Sequence, residues 1–245
     1  MTRFIALVSG KGGVGKTTTT LNLGHALHKM GRSTLLLDAN LATPNLGLQL
    51  GLMNPKGTLN KFLCKEKGIG MQDIMYKHES GITLIPSSLN FMDFQKTNPQ
   101  KLTEIFEHLD NLSEFVLVDA PSGLGYDLNQ ILKNTDEVLV IVQPTLSSVM
   151  DALKTIQLAQ AHNNTIGGII LNMVHFRGWN EMKKEEIENI LGFPILANIK
   201  YDKKFRKSLL EQAPVHYLFP RSNIAKEYRK VARHLCLMSD VEREK

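Results

Sequence analysis

The feature that most constrains the fold of this chain is a glycine-rich segment near its start, between an apolar run and a helical pattern. It matches the pattern G-x-x-x-x-G-K-[ST], with Gly10, Gly15, Lys16 and Thr17 at the fixed positions. The apolar run, 4–8, predicts a buried strand. A strand, a glycine-rich loop and a helix start in this order are typical of a phosphate-binding P-loop, and the alternative of a chance glycine turn does not explain the full motif.

The glycines of this loop let the backbone turn successive N–H groups toward phosphate oxygens. The helix start adds unpaired N–H donors and the positive end of its dipole. Lys16 is expected to reach the β- and γ-phosphates, and the Thr17 hydroxyl is expected to ligate Mg²⁺. The residues predicted to hold the nucleotide phosphates are Gly10, Lys11, Gly12, Gly13, Val14, Gly15, Lys16, Thr17 and Thr18.

The size and composition of the chain are those of one globular unit. Its 245 residues with 42% hydrophobic content can form one substantial core, so we expect a single P-loop domain over residues 1–245. Cys64 and Cys236 lie far apart and outside any CxxC pattern, which disfavours a disulfide framework, a zinc site or a shared iron–sulfur cluster. With no leader pattern and no apolar run of about 18 residues, the expected location is cytoplasmic.

The net charge of +5 and the pI of about 9.1 suit anionic partners such as ATP, nucleic acid or acidic lipid. Two interpretations of this charge stay open: solvated helix faces, or a polyanion-binding surface. The positive charge is concentrated late in the chain, at Lys203, Lys204, Arg206, Lys207, Lys226, Arg229, Lys230 and Arg233.

Strand and helix patterns alternate along the whole sequence. This predicts an α/β fold of the P-loop NTPase type: a doubly wound, mostly parallel sheet of about seven to eight strands with helices on both faces. Ser222 is placed to N-cap the last helix. The predicted strands are Arg3–Val8, Thr34–Asp38, Ile82–Pro86, Phe115–Asp119, Glu137–Val142, Gly168–Asn172 and Ile195–Ile199.

Polar residues follow several of these strands directly. Ligands of open α/β sheets bind outside the carboxyl ends of the strands, so these residues are expected to meet the P-loop at one edge. Asp119 follows an apolar run, where P-loop proteins hold Mg²⁺, usually through a bound water; a loop-capping Asp is the alternative. Asn172 suits adenine, because its amide can pair with N6 and N7, whereas an Asn that caps a turn is the alternative.

The segment K-G-G-x-G-K-T, which begins at Lys11, resembles the deviant P-loop of the MinD/ParA ATPases. The likeness extends from Phe4 to about Leu237 and is closest to archaeal MinD-type proteins. The resemblance implies a homodimer that encloses two ATP molecules, in which Lys11 reaches the phosphates bound by the partner subunit. Without a triphosphate opposite, two such cationic loops would repel each other.

The same resemblance assigns the two switch segments. Asp119-Ala-Pro-Ser-Gly123 is similar to the second switch, so Gly123 is expected to offer its N–H to the γ-phosphate. Asp38, expected to ligate Mg²⁺, lies where the family has the first aspartate of Asp-x-Asp. Asn40 replaces the second aspartate, which in the family helps to orient the attacking water and to couple Mg²⁺ to the first switch, and residues 43–47 form the rest of this switch. An amide cannot accept a proton, so the expectation is slow hydrolysis with catalytic positions at Lys11, Lys16, Asp38 and Asn40. Lys200 and Asp202 resemble the stretch that closes over the base, although relatives usually carry proline at the position of Lys200.

The function implied by the resemblance is a slow, ATP-dependent dimerising ATPase that positions cellular machinery such as the division apparatus, together with an unidentified regulatory or cargo protein. Two alternatives remain open: a non-catalytic dimeric scaffold locked by ATP, and a ParA-like ATPase that binds DNA through its basic C-terminal helices. Residues 238–245 predict a short polar tail of mixed charge, which lacks an apolar face for direct membrane binding.

Overall fold

The structure, a computed structural model, describes residues 2–175 and 181–243, except for the side chains of 241–243. Eight strands in these residues form one sheet with the order β3-β4-β2-β5-β1-β6-β7-β8. Neighbouring strands are parallel except for the β3–β4 pair. The strands are β1 (Arg3–Val8), β2 (Thr34–Asp38), β3 (Tyr76–Lys77), β4 (Thr83–Ile85), β5 (Phe115–Asp119), β6 (Glu137–Val142), β7 (Thr165–Val174) and β8 (Ile195–Lys200).

Helices cover both faces of this sheet. Short 3₁₀ helices also occur at Leu48–Leu50 and Pro99–Lys101. The α-helices are α1 (Lys16–Lys29), α2 (Leu59–Leu63), α3 (Met71–Ile74), α4 (Phe91–Lys96), α5 (Leu102–Leu109), α6 (Tyr126–Leu132), α7 (Leu146–Ala161), α8 (Lys184–Leu191), α9 (Lys204–Leu210), α10 (Val215–Leu218) and α11 (Asn223–Arg243).

The hydrophobic core consists of two layers, one on each face of the sheet. Side chains of α2, α3, α5, α6, α7 and α8 fill the first layer, and those of α1, α10 and α11 fill the second. In β1, residues alternate between the layers, with Phe4 in the first and Ile5 in the second. A strand buried on both faces needs an uninterrupted apolar run, which explains the composition of β1, β5 and β6.

The predicted doubly wound fold is confirmed, and each of the seven predicted strands is present. The bounds differ most at β7, which begins at Thr165 rather than Gly168 and continues to Val174. The short antiparallel strand β3, Tyr76–Lys77, was not predicted, because two residues carry no alternating pattern.

The last helix, α11, includes most of the segment expected to be a polar tail. The Ser222 hydroxyl accepts a hydrogen bond from the Ala225 N–H at 3.2 Å, as predicted for the N-cap. Ser239 is buried, and the Asp240 carboxylate pairs with Arg32 at 2.8 Å. This part of the helix therefore packs on the domain. No helix in the described part of the chain has both the length and the apolarity that a membrane span requires.

Candidate nucleotide-binding site

The predicted site segments meet at the carboxyl edge of the sheet. β5 lies between β2 and β1, and its Asp119 is the register partner of Asp38 in β2. β7 reaches the same edge, where the Asn172 Nδ2 donates to the Val14 carbonyl at 2.7 Å. The P-loop, two aspartates and one asparagine are therefore brought together from four strand ends.

The P-loop approaches its neighbours so closely that two of its glycines admit no side chain. Gly15, just before α1, has φ +90°, and a Cβ there would lie 2.2 Å from the Asn172 Nδ2. At Gly10, a Cβ would lie 2.4 Å from the backbone of Asp151 in α7. The loop encloses a cavity of about 350 Å³. Lys16, Thr17 and Thr18 of the first turn of α1 line this cavity, and the N–H groups of a helix start are suited to bind anions.

The motif's lysine and threonine both bond to the same carboxylate. The Lys16 Nζ lies 3.3 Å from the Asp119 Oδ1, and the Thr17 hydroxyl donates to the Asp119 Oδ2 at 2.6 Å. Asp119 is fully buried. The hydroxyl and carboxylate expected to ligate Mg²⁺ are thus within hydrogen-bond distance of each other.

Asp38 is a second fully buried carboxylate beside Asp119. Burial raises the pKa of Asp38 well above its ordinary value, and the neighbouring Asp119 raises it further. The backbone N–H groups of Leu46 and Asn40 oppose this shift, since they donate to the Asp38 carboxylate at 2.9 Å and 3.3 Å. Asp38 therefore anchors the first switch segment to the sheet edge.

Asn40 is held inside that switch segment by its own side-chain amide. Its Nδ2 donates to the Thr43 carbonyl at 2.8 Å, and its Oδ1 accepts from the Thr43 N–H and hydroxyl, each at 3.2 Å. Both residues also line the phosphate cavity. These bonds of the Asn40 amide hold the loop from Asn40 to Thr43 in its shape. A carboxylate at this position would have no N–H to donate to the Thr43 carbonyl.

Gly123 and Lys11 are both predicted to contact nucleotide phosphates. The Gly123 N–H donates to the Ser9 carbonyl at 3.1 Å, so the predicted bond to the γ-phosphate requires this bond to open. The Lys11 side chain is exposed at the rim of the phosphate cavity. The roles of both residues toward phosphate stay predictions.

A second cavity, of about 490 Å³, adjoins the phosphate cavity on the β7 and β8 side. Asn172, Lys200 and Asp202 line it, which is where a base-binding site was predicted. The Asp202 carboxylate accepts from the Lys204 N–H at 2.8 Å and thereby shapes the start of α9. Asn172 uses one amide N–H on the P-loop, through its bond to the Val14 carbonyl, and its contact with adenine stays a prediction.

A family model described as ParA, NUBPL iron-transfer P-loop NTPase, matches residues 1–236. The chain belongs to the ParA family of P-loop NTPases. The resemblance recognised in the sequence is therefore confirmed. Cys64 ends α2 on the first face of the sheet and Cys236 is buried on the second, so the two cysteines of this ParA-family chain do not share a site within one subunit.

Relatives of this ParA-family chain match it over nearly its full length. An uncharacterized ATP-binding protein of Methanocaldococcus jannaschii is 34% identical over 94% of this chain and 86% of its own length. The cell division ATPase MinD of Pyrococcus furiosus superposes with a TM-score of 0.91 at 32% identity, covering 97% of this chain and all of that one. The septum site-determining protein MinD of Pyrococcus horikoshii, a complex with Mg-ADP, has a TM-score of 0.90 at 31% identity, with 96% of each chain covered.

The residues of this ParA-family site fit ATP and Mg²⁺ as cofactors. Thr17, Asp38 and Asp119 are the residues that would hold Mg²⁺, since their side chains carry the hard oxygen ligands that this ion prefers. Lys16 and the helix start supply the positive charge that a triphosphate requires. When bound, Mg²⁺ offsets the negative charge of the two carboxylates and of the phosphates.

Sequence reasoning missed several residues that line the two cavities. Gln49 lines the phosphate cavity and accepts from the Thr18 hydroxyl at 3.2 Å. Met173 lines both cavities, and Phe205 lines the second. Met173 directly follows Asn172 in the sequence, which is the one signal for it, whereas no motif marks Gln49 or Phe205.

Proposed function

We propose that this chain is a slow ATPase of the MinD/ParA type that dimerises on ATP and dissociates after hydrolysis, and so acts as a switch in spatial positioning, for example of the cell-division machinery. Its membership of the ParA family and its similarity to archaeal MinD structures support this proposal. The dimer would recruit a regulatory or cargo protein.

The observation that carries the proposal is the exposed Lys11 at the rim of the phosphate cavity. A second copy placed face to face would bring its own triphosphate within reach of this ammonium, and in ATP-free subunits the two lysines would repel each other. Bound triphosphate is therefore the condition for dimerisation.

Exposed apolar side chains on two segments next to the P-loop support a face-to-face partner. Leu124 and Tyr126 follow Gly123, with 45% and 53% of their surfaces exposed. Leu146 and Met150 lie on the first turns of α7, the helix that contacts Gly10, with 61% and 43% exposed. A partner subunit over the P-loop would remove this apolar surface from water.

Light scattering after size exclusion tests the dimer. The 27.5 kDa chain is expected to double its mass with ATP or a non-hydrolysable analogue and Mg²⁺, and to remain monomeric with ADP. Lys11→Ala is expected to bind ATP but stay monomeric, whereas exposed Lys133→Ala, away from the cavity, is expected to behave as the unaltered chain. A monomer at saturating ATP would contradict the proposal.

The slow rate follows from Asn40, which cannot accept a proton from the attacking water. Asn40→Asp is expected to increase phosphate release by about two to four orders of magnitude if this group takes part directly in proton transfer. The increase is smaller if positioning dominates. The alternative is a dimeric scaffold locked by ATP, which the bonds between Asn40 and Thr43 favour. Phosphate release separates the two: a rate abolished by Lys16→Ala supports the ATPase, and dimerisation without turnover supports the scaffold.

A ParA-like DNA-binding function is the other candidate, and the exposed face of α11 supports it. Lys226, Lys230 and Arg233 are exposed and spaced along one side of this helix. DNA binding through them is expected to require ATP and to weaken steeply with salt. Duplex binding that does not change with salt concentration would exclude this surface as the site.

Direct membrane binding by the C-terminal segment is not part of the proposal. Ser239 is buried and Asp240 pairs with Arg32, so this turn of α11 is occupied by contacts within the domain. ATP-dependent pelleting of the chain with bilayer-coated beads would show that the segment does bind membranes.

A further inference from the structure

Strand β7 leaves regular β geometry at one residue, Met173. Its φ is +57°, in the left-handed region that residues other than Gly, Asn and Asp rarely adopt. The pairing of β7 with β8 shifts register between Leu171 and Val174, around this residue. The four other described non-glycine residues with positive φ lie in turns. A strained methionine inside a strand therefore needs an explanation from its surroundings.

The Met173 side chain is fixed from two sides. The Gln143 Nε2, at the end of β6, lies 2.8 Å from the Met173 Sδ as its hydrogen-bond donor. The Met173 methyl group packs on the P-loop, since a Cβ built on Gly15 would lie 3.5 Å from it. The bulge thus directs a thioether to the backbone that precedes α1.

The Met173 thioether lies between the phosphate cavity and the second cavity. The residues that line both cavities are Gly15, Thr18 and Met173. In a nucleotide whose phosphates occupy the P-loop and whose base occupies the second cavity, the group at this junction is the ribose with its first phosphate. Met173 is the one of the three with a long apolar side chain, and it is half-buried before any ligand binds.

We propose that Met173 is a specificity-determining residue for the nucleoside part of the ligand: its thioether packs on the ribose and links the phosphate and base cavities. The proposal rests on nucleotide binding at this site and is independent of dimerisation. It predicts selectivity for nucleoside phosphates over inorganic polyphosphates, because the latter fill the P-loop without reaching Met173. The strained backbone is the structural cost of this contact.

Calorimetric titration of the full chain with ADP and with inorganic tripolyphosphate, both with Mg²⁺, tests the proposal. Met173→Ala is expected to weaken ADP binding about tenfold, the effect of a few lost apolar groups in a pocket, and to leave tripolyphosphate binding within about twofold. Met173→Leu, which keeps an apolar chain of similar size, is expected to retain ADP affinity within about threefold. Lys16→Ala is the control, in which the binding of both ligands is expected to weaken, roughly 10- to 100-fold.

The proposal is overturned if Met173→Ala binds ADP as tightly as the unaltered chain. It is also overturned if tripolyphosphate binding falls equally, since that result would mean that Met173 only supports the P-loop. Failure of the chain to dimerise on ATP would remove the proposed switch function and leave the ADP measurements interpretable.

Thermal unfolding of a second pair of variants tests the strain. Met173→Gly and Met173→Ala both lack the thioether, but only glycine adopts a φ of +57° without steric cost. The Gly variant is therefore expected to melt at a higher temperature than the Ala variant while binding ADP equally weakly. Equal melting temperatures would show that the backbone at Met173 stores no strain and would overturn that part of the inference.

Discussion

Helix α1 carries two buried polar clusters, and their charges are arranged in opposite ways. At its first turn, Lys16 faces the carboxylates of Asp119 and, beyond it, Asp38. Two turns later, the Nδ1 of His25 lies 2.7 Å from the Nδ1 of His216 in α10. The first cluster concentrates charge at the sheet edge, whereas the second is a hydrogen-bonded pair between helices.

The hydrogen bonds of the histidine cluster fit two neutral rings. Arg229 can only donate, so its Nη1, 3.3 Å from the His216 Nε2, fixes that nitrogen as an acceptor. The His216 Nδ1 must then carry the proton that it donates to His25. The remaining proton of His25 lies on Nε2, for which the described residues provide no hydrogen-bond partner. Burial lowers the pKa of His25 to about 3 and that of His216 to about 4.

The carboxylate cluster has two acids and one lysine. Because burial and Asp119 raise the pKa of Asp38, the folded chain retains a proton there that the unfolded chain releases. This cluster is suited to bind a cation and costs stability at neutral pH, whereas the histidine cluster holds helices together and loses stability in acid. The stability contribution of the carboxylate cluster therefore falls as pH rises, whereas that of the histidine cluster falls as pH decreases.

The largest expected effect is on the acid limb of the stability curve. The folded pKa values of about 3 and 4 lie below the ordinary value of 6.5, so the unfolded state binds protons first as pH falls. Between about pH 6 and pH 4.5, protonation of these two histidines in the unfolded state is expected to lower the unfolding free energy by about 2 to 4 kcal/mol. The double variant His25→Leu, His216→Leu should remove this loss in urea unfolding. Its matched control is exposed His108→Gln.

Several basic groups surround the two histidines and also lower their pKa values. His28 and Lys29 on α1 and His78 after β3 face His25, and Arg229 on α11 faces His216. An acid limb that is unchanged in the double variant would mean that these histidines are not the groups that titrate.

The second prediction concerns the carboxylate cluster. Lys16→Ala removes the ammonium that pairs with Asp119 and is expected to reach the phosphates. A charge-assisted hydrogen bond contributes about 1.5–3 kcal/mol, so ATP binding is expected to weaken roughly 10- to 100-fold. Calorimetry measures this loss. His25→Leu, on the same helix, should leave ATP affinity within about twofold; an equal loss there would show that the two clusters are not separate.

The third prediction separates the two carboxylates. Asp38→Asn removes an acid whose ionised form is costly to bury, but its amide nitrogen cannot accept one of the two N–H bonds that Asp38 receives from Leu46 and Asn40. The gain exceeds this loss, so the unfolding free energy at pH 7 without magnesium is expected to rise by about 1 to 2 kcal/mol. Magnesium-dependent phosphate release should fall at the same time. Asp119→Asn is the matched control and should give no gain, because it breaks the bonds from Lys16 and Thr17. Lower stability of Asp38→Asn would contradict this account of the cluster.

The sequence predicts the two clusters unequally, for a physical reason. Lys16, Asp38 and Asp119 are recognisable because the parallel strands of the sheet bring motif positions and strand ends to one edge. The histidine pair joins positions 191 residues apart that follow no motif or ligand spacing, so only tertiary packing brings it together. The fold is predictable because apolar runs and helical periods recur along the whole chain.

Within the site, the unpredicted features depend on local backbone geometry. The bulge at Met173 has no sequence signal, because methionine is not a residue that favours positive φ. The same limit applies to Gly123, whose resemblance to a switch glycine predicts a phosphate contact but not its bond to the Ser9 carbonyl. Motifs identify which residues meet a ligand, whereas hydrogen bonds set by the surrounding backbone decide their positions.

The smallest expected effect is a change in how steeply stability falls in acid when Arg229, beside the histidine cluster, is removed. Arg229→Ala removes the donor that fixes the His216 tautomer and a positive charge that lowers the pKa of His216. Because the folded pKa then lies closer to 6.5, the acid loss of stability should become less steep, by about 1 kcal/mol over the same pH interval. Urea unfolding at several pH values measures this change, with Lys230→Ala as the exposed control on α11. A steeper acid limb in Arg229→Ala would mean that this guanidinium stabilises the charged ring and would reverse the tautomer assignment.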